Sequence, residues 1–206
     1  GFTEEGFEHV VEAQESGRGV IIALPHLGGW DWAGSWVSRV VGFPVAAVVE
    51  PLEPPELFEW FRDYRRSYGI EVIALGPEAG GDVQRALREG AVIVLLSDRH
   101  VGGGGVEVEF FGEVTTLPAG PAILALRTGA ALIPATAYIR RRGCHGVARP
   151  PIPVEREGRF REDVVRVTRA LAAELEDLIR AEPEQWHLLQ PNWPSDRVGS
   201  GGPDEG

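Results

Sequence analysis

The chain has 206 residues, enough for one well-packed domain, and its formal net charge of -11 excludes broad, charge-driven binding to nucleic acid or anionic membranes. Cys144 is the single cysteine, which excludes an internal disulfide framework. No apolar stretch reaches the roughly 18–20 residues of a membrane-spanning helix, and the N-terminus lacks a signal-peptide pattern, so the chain should not cross a membrane alone.

The first half of the chain alternates short apolar runs with amphipathic segments. The apolar runs predict strands at Val20–Leu24, Val45–Val49, 71–75 and 91–96. Helices are predicted over 31–41, after Pro55 and over 82–88, because apolar residues recur there at helical spacing. This alternation is typical of a layered structure whose central strands run parallel.

The second half continues the pattern after a glycine-rich loop at 97–105. Strands are predicted at 106–111, 131–138 and 146–153, and helices over 118–127 and 160–182. A loop is predicted from 112 to Leu117. The sequence therefore predicts one α/β domain over 1–197 with a mostly parallel central sheet flanked by helices. The Gly, Ser, Pro and acid-rich tail at 198–206 is predicted to be disordered.

A histidine and a carboxylate flank a glycine pair where the first apolar strand gives way to a helix. In open α/β sheets ligands bind at this edge, and histidine accepts a proton near neutral pH. Asp31 would hold one ring nitrogen of His26, leaving the other free to deprotonate a hydroxyl, with Gly28 and Gly29 turning the backbone. The spacing alone favours the alternative of a loop histidine followed by a helix-capping aspartate.

The loop after the strand at 91–96 carries Ser97, Asp98 and Arg99, followed by the glycine run 102–105. Backbone N–H groups of such a run can cradle phosphate. The run lacks the lysine and hydroxyl residue of a P-loop and leads into a strand, which favours a flexible hairpin loop. Glu107 and Glu109 share one face of that strand. Either residue is a solvated charge at the edge of the sheet or a carboxylate of the site.

Two further features are suited to oxygen-rich ligands. Small residues from Thr115 to Pro121 open a helix with Pro118 in its first turn, and free N–H groups there suit a phosphate or carbonyl oxygen. A tightly packed, capped helix is the simpler interpretation. Arg65 can pair bidentately with a phosphate, or it is one of several surface arginines on an amphipathic helix.

Taken in order, these motifs resemble the lysophospholipid acyltransferase superfamily, in the branch of lipid A biosynthesis and phosphatidylinositol mannoside acyltransferases. The matching blocks are His26 with Asp31, then 64–69, 97–99, 105–112 and 117–121. The ending 189–197 looks most like the mannoside enzymes of high-GC Gram-positive bacteria. The resemblance covers the chain from about Gly19 to Arg197.

The resemblance implies a glycerolipid acyltransferase-like fold and a role for each matched residue. His26 is then the general base, Asp31 its orienting partner, and Glu107 helps to hold the histidine and the acceptor. The remaining matched positions are expected to bind substrate: Arg65, Asp98, Arg99, Gly105, Pro118 and Gly120. Because the family has a shorter polar loop where the glycine run stands, the roles of Asp98 and Arg99 stay open.

The implied reaction transfers a fatty acyl group, expected to be palmitoyl, from acyl-CoA to a mannose hydroxyl of a phosphatidylinositol mannoside. Acyl-CoA is a co-substrate; no cofactor is expected, and no metal, because the five histidines lack zinc-type spacing. The enzyme is expected in peripheral contact with the cytoplasmic face of the bacterial cell membrane, without a nucleic-acid partner. Family members carry an N-terminal membrane-docking region. We expect it to be missing here and the isolated chain to be weakly active or inactive.

Three alternatives remain. In the first, the acceptor is a lipid A precursor of the Kdo-lipid IVA type. In the second, water is the acceptor and the protein is a thioesterase. In the third, the chain is a non-catalytic module that binds acyl-CoA or lipid. The C-terminal segment and the high-GC composition argue mildly against the first.

Overall fold

The computed structural model describes residues 1–102 and 104–197, so the predicted disordered tail at 198–206 lies outside the described residues. The strands are β1 (Phe2–Glu5), β2 (Val20–Leu24), β3 (Val45–Val49), β4 (Ile70–Ala74), β5 (Val92–Leu96), β6 (Gly105–Phe110), β7 (Glu113–Pro118), β8 (Ala131–Arg140) and β9 (Gly143–Ala148). The helices are α1 (Glu8–Glu15), α2 (Trp30–Trp36), α3 (Pro55–Ser67), α4 (Ala79–Arg88), α5 (Gly120–Thr128) and α6 (Phe160–Ala181). A π-helical turn extends α2 over Val37–Val41, and short 3-10 turns lie at Pro183–Gln185 and Pro194–Arg197.

Within the described residues, seven strands form one sheet in the order β1-β9-β8-β2-β5-β3-β4. All neighbouring pairs run parallel except β8 and β9, which form an antiparallel hairpin. Strands β6 and β7 form a separate antiparallel hairpin. The prediction of an α/β fold with a mostly parallel sheet is confirmed.

The centre of the sheet is the pair β2 and β5. Every residue of β2 is buried, as are the first four of β5, which matches their continuous apolar sequences. The two strands pair in parallel, with Leu24 opposite Leu96. The loops that follow them therefore leave the sheet side by side, although they lie far apart in the chain.

Side chains alternate between two apolar layers on the faces of the sheet. Helices α1 and α2 pack on one face against Val20, Ile22 and neighbouring residues. Helices α4, α5 and α6 and the β6–β7 hairpin pack on the other, which receives Ile21 and Ile93. No helix in the described part of the chain is long and apolar enough to cross a membrane.

The hairpin accounts for the main error in the predicted elements. The loop predicted before Leu117 is strand β7, whose Thr115 and Leu117 are buried while Val114 is exposed. Pro118 therefore ends a strand instead of opening a helix, and α5 begins at Gly120 with Pro121 in its first turn. This short polar segment has the sequence pattern of a loop. It becomes a strand because its backbone N–H and C=O groups form hydrogen bonds with β6.

Candidate active site

The loops after β2 and β5 bring a histidine and an aspartate together. His26 and Asp98 each lie two residues beyond the paired residues Leu24 and Leu96. Nδ1 of His26 lies 2.6 Å from Oδ1 of Asp98, and the backbone N–H of His26 donates to Oδ2 at 2.9 Å. Because a carboxylate only accepts, Nδ1 carries the proton, and in the neutral imidazole Nε2 is then the acceptor.

The Asp98 side chain is fully buried, whereas 27% of the His26 side chain is exposed. The indole N–H of Trp186 donates to Oδ2 of Asp98 at 2.7 Å. The amide of Asn192 donates to the Asp98 backbone carbonyl at 3.0 Å. The buried carboxylate is thus held by the protein on every polar atom, while the histidine ring faces outward.

The turn between His26 and α2 depends on Gly28. Its φ of 63° is in the left-handed region, and a Cβ there would overlap the carbonyl oxygen of Ala137. The next residue, Gly29, donates its N–H to that oxygen at 2.7 Å. The tight turn expected from the glycine pair is present, and it anchors the loop to β8.

The sequence motif led us to expect Asp31 beside His26, but no hydrogen bond joins the two within the described residues. Asp31 instead accepts a hydrogen bond from Nε of Arg65 at 3.0 Å. It lies inside the first turn of α2, whose N-cap is Gly29, so it is also not the helix cap of the alternative interpretation. Asp98, which was expected to contact substrate, makes the hydrogen bond to the His26 ring that was expected of Asp31.

Arg65 comes from α3, which packs beside β4. Its guanidinium lies 4.8 Å from the ring centroid of Trp30 and 5.7 Å from that of Phe61, and its side chain is only 16% exposed. Contacts with both rings and the pairing with Asp31 restrict the orientation of the guanidinium. It lines the same groove as His26, so the wall of this groove carries a cation.

The groove has a volume of about 560 Å³ and opens beside His26. Its apolar lining comes from the ends of β3 and β5, the residue after β4, and helices α4 and α5: Val48, Val49, Leu75, Val83, Leu95, Leu96, Ile123 and Leu124. Gly80 and Gly120 also line it, with open space where a Cβ would stand. This size is typical of small-molecule pockets, and the lining suits an alkyl chain.

Of the other residues that were expected to bind substrate, some line the groove and one lies outside it. Pro118, Gly120 and Arg99 line the groove. Arg99 donates to Gln190 and, at 2.8 Å, to Glu50, so its charge is already paired within the protein. Gly105 lies where a Cβ would overlap the Thr116 side chain, so the hairpin requires glycine there.

Glu107 lies outside the groove. It is exposed on β6 and lines a separate polar pocket of about 230 Å³ together with His100, Thr116 and Trp193. The expected contact with His26 is therefore not formed, because the hairpin turns this face of β6 away from the histidine loop. Glu109 points to the same exposed face.

A metal site and a cysteine nucleophile each have requirements against which the described residues can be compared. No group of three or more His, Cys, Asp or Glu side chains there could hold a metal ion. Cys144 is buried, and this burial raises the pKa of its thiol. The thiol is thus protonated at neutral pH and is a poor nucleophile.

A family model described as bacterial lipid A biosynthesis acyltransferase matches residues 2–195 of the chain. The chain belongs to this family. A phosphatidylinositol mannoside acyltransferase of Mycobacterium tuberculosis (strain ATCC 25618 / H37Rv) is 39% identical over 197 residues, which cover 93% of this chain and 60% of the relative. A protein of the same description from Mycolicibacterium smegmatis is 38% identical over 195 residues, covering 92% of this chain and 61% of the relative.

The resemblance identified from the sequence motifs is thereby confirmed. The chain spans about 60% of the length of these curated relatives. Within this member of the acyltransferase family, Trp186 lies outside every matched motif, and Asn192 lies in the ending 189–197 without having been expected at the site. Both follow α6, more than eighty residues after Asp98 in the sequence, so their contacts with Asp98 appear only in the folded chain.

Proposed function

We propose that the chain is the acyl-transferring part of an enzyme that moves a fatty acyl group from acyl-CoA to a mannose hydroxyl of a phosphatidylinositol mannoside. The observation that carries this proposal is the hydrogen-bonded pair of His26 and Asp98 at the opening of an apolar groove. The choice of acceptor is supported by the relatives, which are named phosphatidylinositol mannoside acyltransferases. Acyl-CoA is the co-substrate, and no cofactor takes part.

In the proposed mechanism, Nε2 of His26 removes the proton of the mannose hydroxyl as its oxygen attacks the thioester carbonyl. Asp98 holds Nδ1–H and stabilises the imidazolium that forms. The tetrahedral intermediate collapses, the carbon–sulfur bond breaks, and the CoA thiolate takes the proton from His26. Backbone N–H groups near the glycine run or at the start of α5 are the candidates for stabilising the oxyanion.

The groove provides the place for the acyl chain, for which we propose a palmitoyl group. Its apolar walls remove methylene groups from water at about 0.8 kcal/mol each, which favours long chains. Arg65 at the opening would contact phosphate or carbonyl oxygens of the ligands. Asp31 then acts on catalysis through the placement of Arg65 rather than through His26.

A peripheral contact with the cytoplasmic face of the cell membrane is part of the proposal. Helix α3 exposes a single stripe of Leu57, Trp60, Tyr64 and the following Tyr68. Trp60 stacks on Tyr64 with ring centroids 5.4 Å apart, and Tyr64 meets Tyr68 at 4.8 Å. Trp and Tyr are the residues enriched at the level of lipid headgroups. Since α3 also carries Arg65, this stripe would set the groove opening near the lipid surface.

The test uses the full-length protein with mixed acyl-CoAs and mannosylated phosphatidylinositol, and products are identified by mass spectrometry. The His26→Ala variant should lose at least about 100-fold in transfer rate, because it lacks the general base. The matched control is His187→Ala, whose exposed side chain is removed while the backbone N–H that contacts His26 remains.

Substantial transfer by a folded His26→Ala protein would refute the mechanism. Free fatty acid released equally with and without the glycolipid would favour a thioesterase, and transfer to a lipid A precursor in preference to the mannoside would change the acceptor.

Two adjacent glycines of α4 test the place of the acyl chain. Gly80 lines the groove whereas Gly81 does not, and both have open space for a side chain. We expect Gly80→Leu to shift the preference towards shorter acyl-CoAs, while Gly81→Leu retains the original preference. Leucine favours the helix at both positions, so both variants should fold. An unchanged chain-length profile in Gly80→Leu would place the acyl chain elsewhere.

A further inference from the structure

The segment after α6 passes over the histidine loop and contacts both partners of the His26–Asp98 pair. The backbone N–H of His187 donates to the His26 carbonyl at 2.7 Å, and Gln185 accepts from the Gly28 N–H at 3.0 Å. Between these two contacts, Trp186 points its indole N–H at Asp98. The segment thus fixes the backbone of the histidine and the side chain of the aspartate together.

Trp186 has a specific effect on the geometry of Asp98. Oδ1 accepts from the ring of His26, and Oδ2 accepts from the His26 backbone and from the Trp186 indole, at 2.9 Å and 2.7 Å. The carboxylate is fully buried, so water does not replace a lost donor readily. Removing the indole N–H would leave Oδ2 with the His26 backbone N–H as its single donor among the described residues.

We infer that Trp186 is a positioning residue that holds the Asp98 carboxylate so that Oδ1 stays on Nδ1 of His26. The inference rests on the proposed function in that His26 acts as the base. Trp186 does not line the groove, so its effect on catalysis passes through Asp98. It should therefore alter the rate of the chemical step and leave the binding of both substrates unchanged.

Trp193 provides a matched control in the same aromatic cluster. Its ring centroid lies 6.0 Å from that of Trp186, and both rings pack against Phe110 and Phe111. The Trp193 indole donates to the backbone carbonyl of Phe110 at 2.9 Å, and not to Asp98. Substitution by phenylalanine removes one indole hydrogen bond and keeps an aromatic ring at either position.

The kinetic test compares Trp186→Phe with Trp193→Phe in the full-length protein. We expect Trp186→Phe to lower kcat by about 10-fold, as loss of a hydrogen bond to a charged group implies, with both KM values within about twofold of wild type. Trp193→Phe should keep kcat within about twofold. Equal kcat values in the two variants, or a change confined to KM, would overturn the inference.

A spectroscopic test does not depend on turnover. In the folded protein, the proton on Nδ1 of His26 should give a downfield NMR resonance because it is bonded to a buried carboxylate. We expect Trp186→Phe to move or broaden this resonance and Trp193→Phe to leave it in place. An unmoved resonance in folded Trp186→Phe would overturn the inference. If wild type transfers no acyl group, the proposed function fails while the resonance still tests the positioning role.

Discussion

Asp98 and Asp31 are two aspartates of the candidate active site in opposite settings. Asp98 is fully buried and accepts hydrogen bonds from a histidine ring, a backbone amide and an indole. The Asp31 side chain is 44% exposed and pairs with Arg65. Burial makes the first carboxylate a rigid support, since each of its bonds acts in a medium that screens charge poorly. Exposure leaves the second with a weaker, solvent-screened pair.

The largest difference should come from Asp98→Asn. The amide is close in size to the carboxylate, but it can donate to Nδ1 and stabilise the histidine tautomer that carries its proton on Nε2, the wrong nitrogen. We expect kcat to fall on the order of 10³- to 10⁴-fold with the fold retained, as measured by steady-state kinetics and circular dichroism. A smaller loss in Asp98→Asn than in Asp31→Asn would reverse the roles assigned to the two residues.

Asp31→Asn should have an intermediate effect that passes through Arg65. Loss of an exposed ion pair is worth about 0.2–1 kcal/mol, which corresponds to a rise of at most about fivefold in KM. The measurement is a double-mutant cycle with Arg65→Gln, in which the effect of Asp31→Asn should vanish once the guanidinium is gone. An undiminished effect in the Arg65→Gln background would indicate that Asp31 acts independently of Arg65.

Glu107→Gln should have the smallest effect of the three carboxylate substitutions. Its side chain is exposed in the polar pocket beside the hairpin, away from the groove. We expect kcat and KM within about twofold of wild type in the same transfer assay, as is usual for a surface substitution that breaks no hydrogen bond with the described residues. A loss comparable with that of Asp98→Asn would restore the role that the sequence motif implied.

The strongly periodic elements could be predicted from the sequence, because their patterns are local. The apolar run Val20–Leu24 is a strand with the predicted bounds, and α6 ends one residue before its predicted end. Strands β1 and β7 and helix α1 were not predicted. These short segments carry weak patterns: β1 depends on pairing with β9, and β7 on pairing with β6.

The sequence by itself determined the α/β class, the position of His26 at the end of a buried strand and membership of the acyltransferase family. Only the tertiary structure decided which carboxylate meets the histidine. That choice depends on β5, and not the next strand in the chain, lying beside β2, and on the in-register pairing of Leu24 with Leu96. It also depends on a segment after α6 that returns to donate the Trp186 indole. Local sequence patterns hold no information about these contacts because they join residues far apart in the chain, and their energies appear only once the sheet has formed.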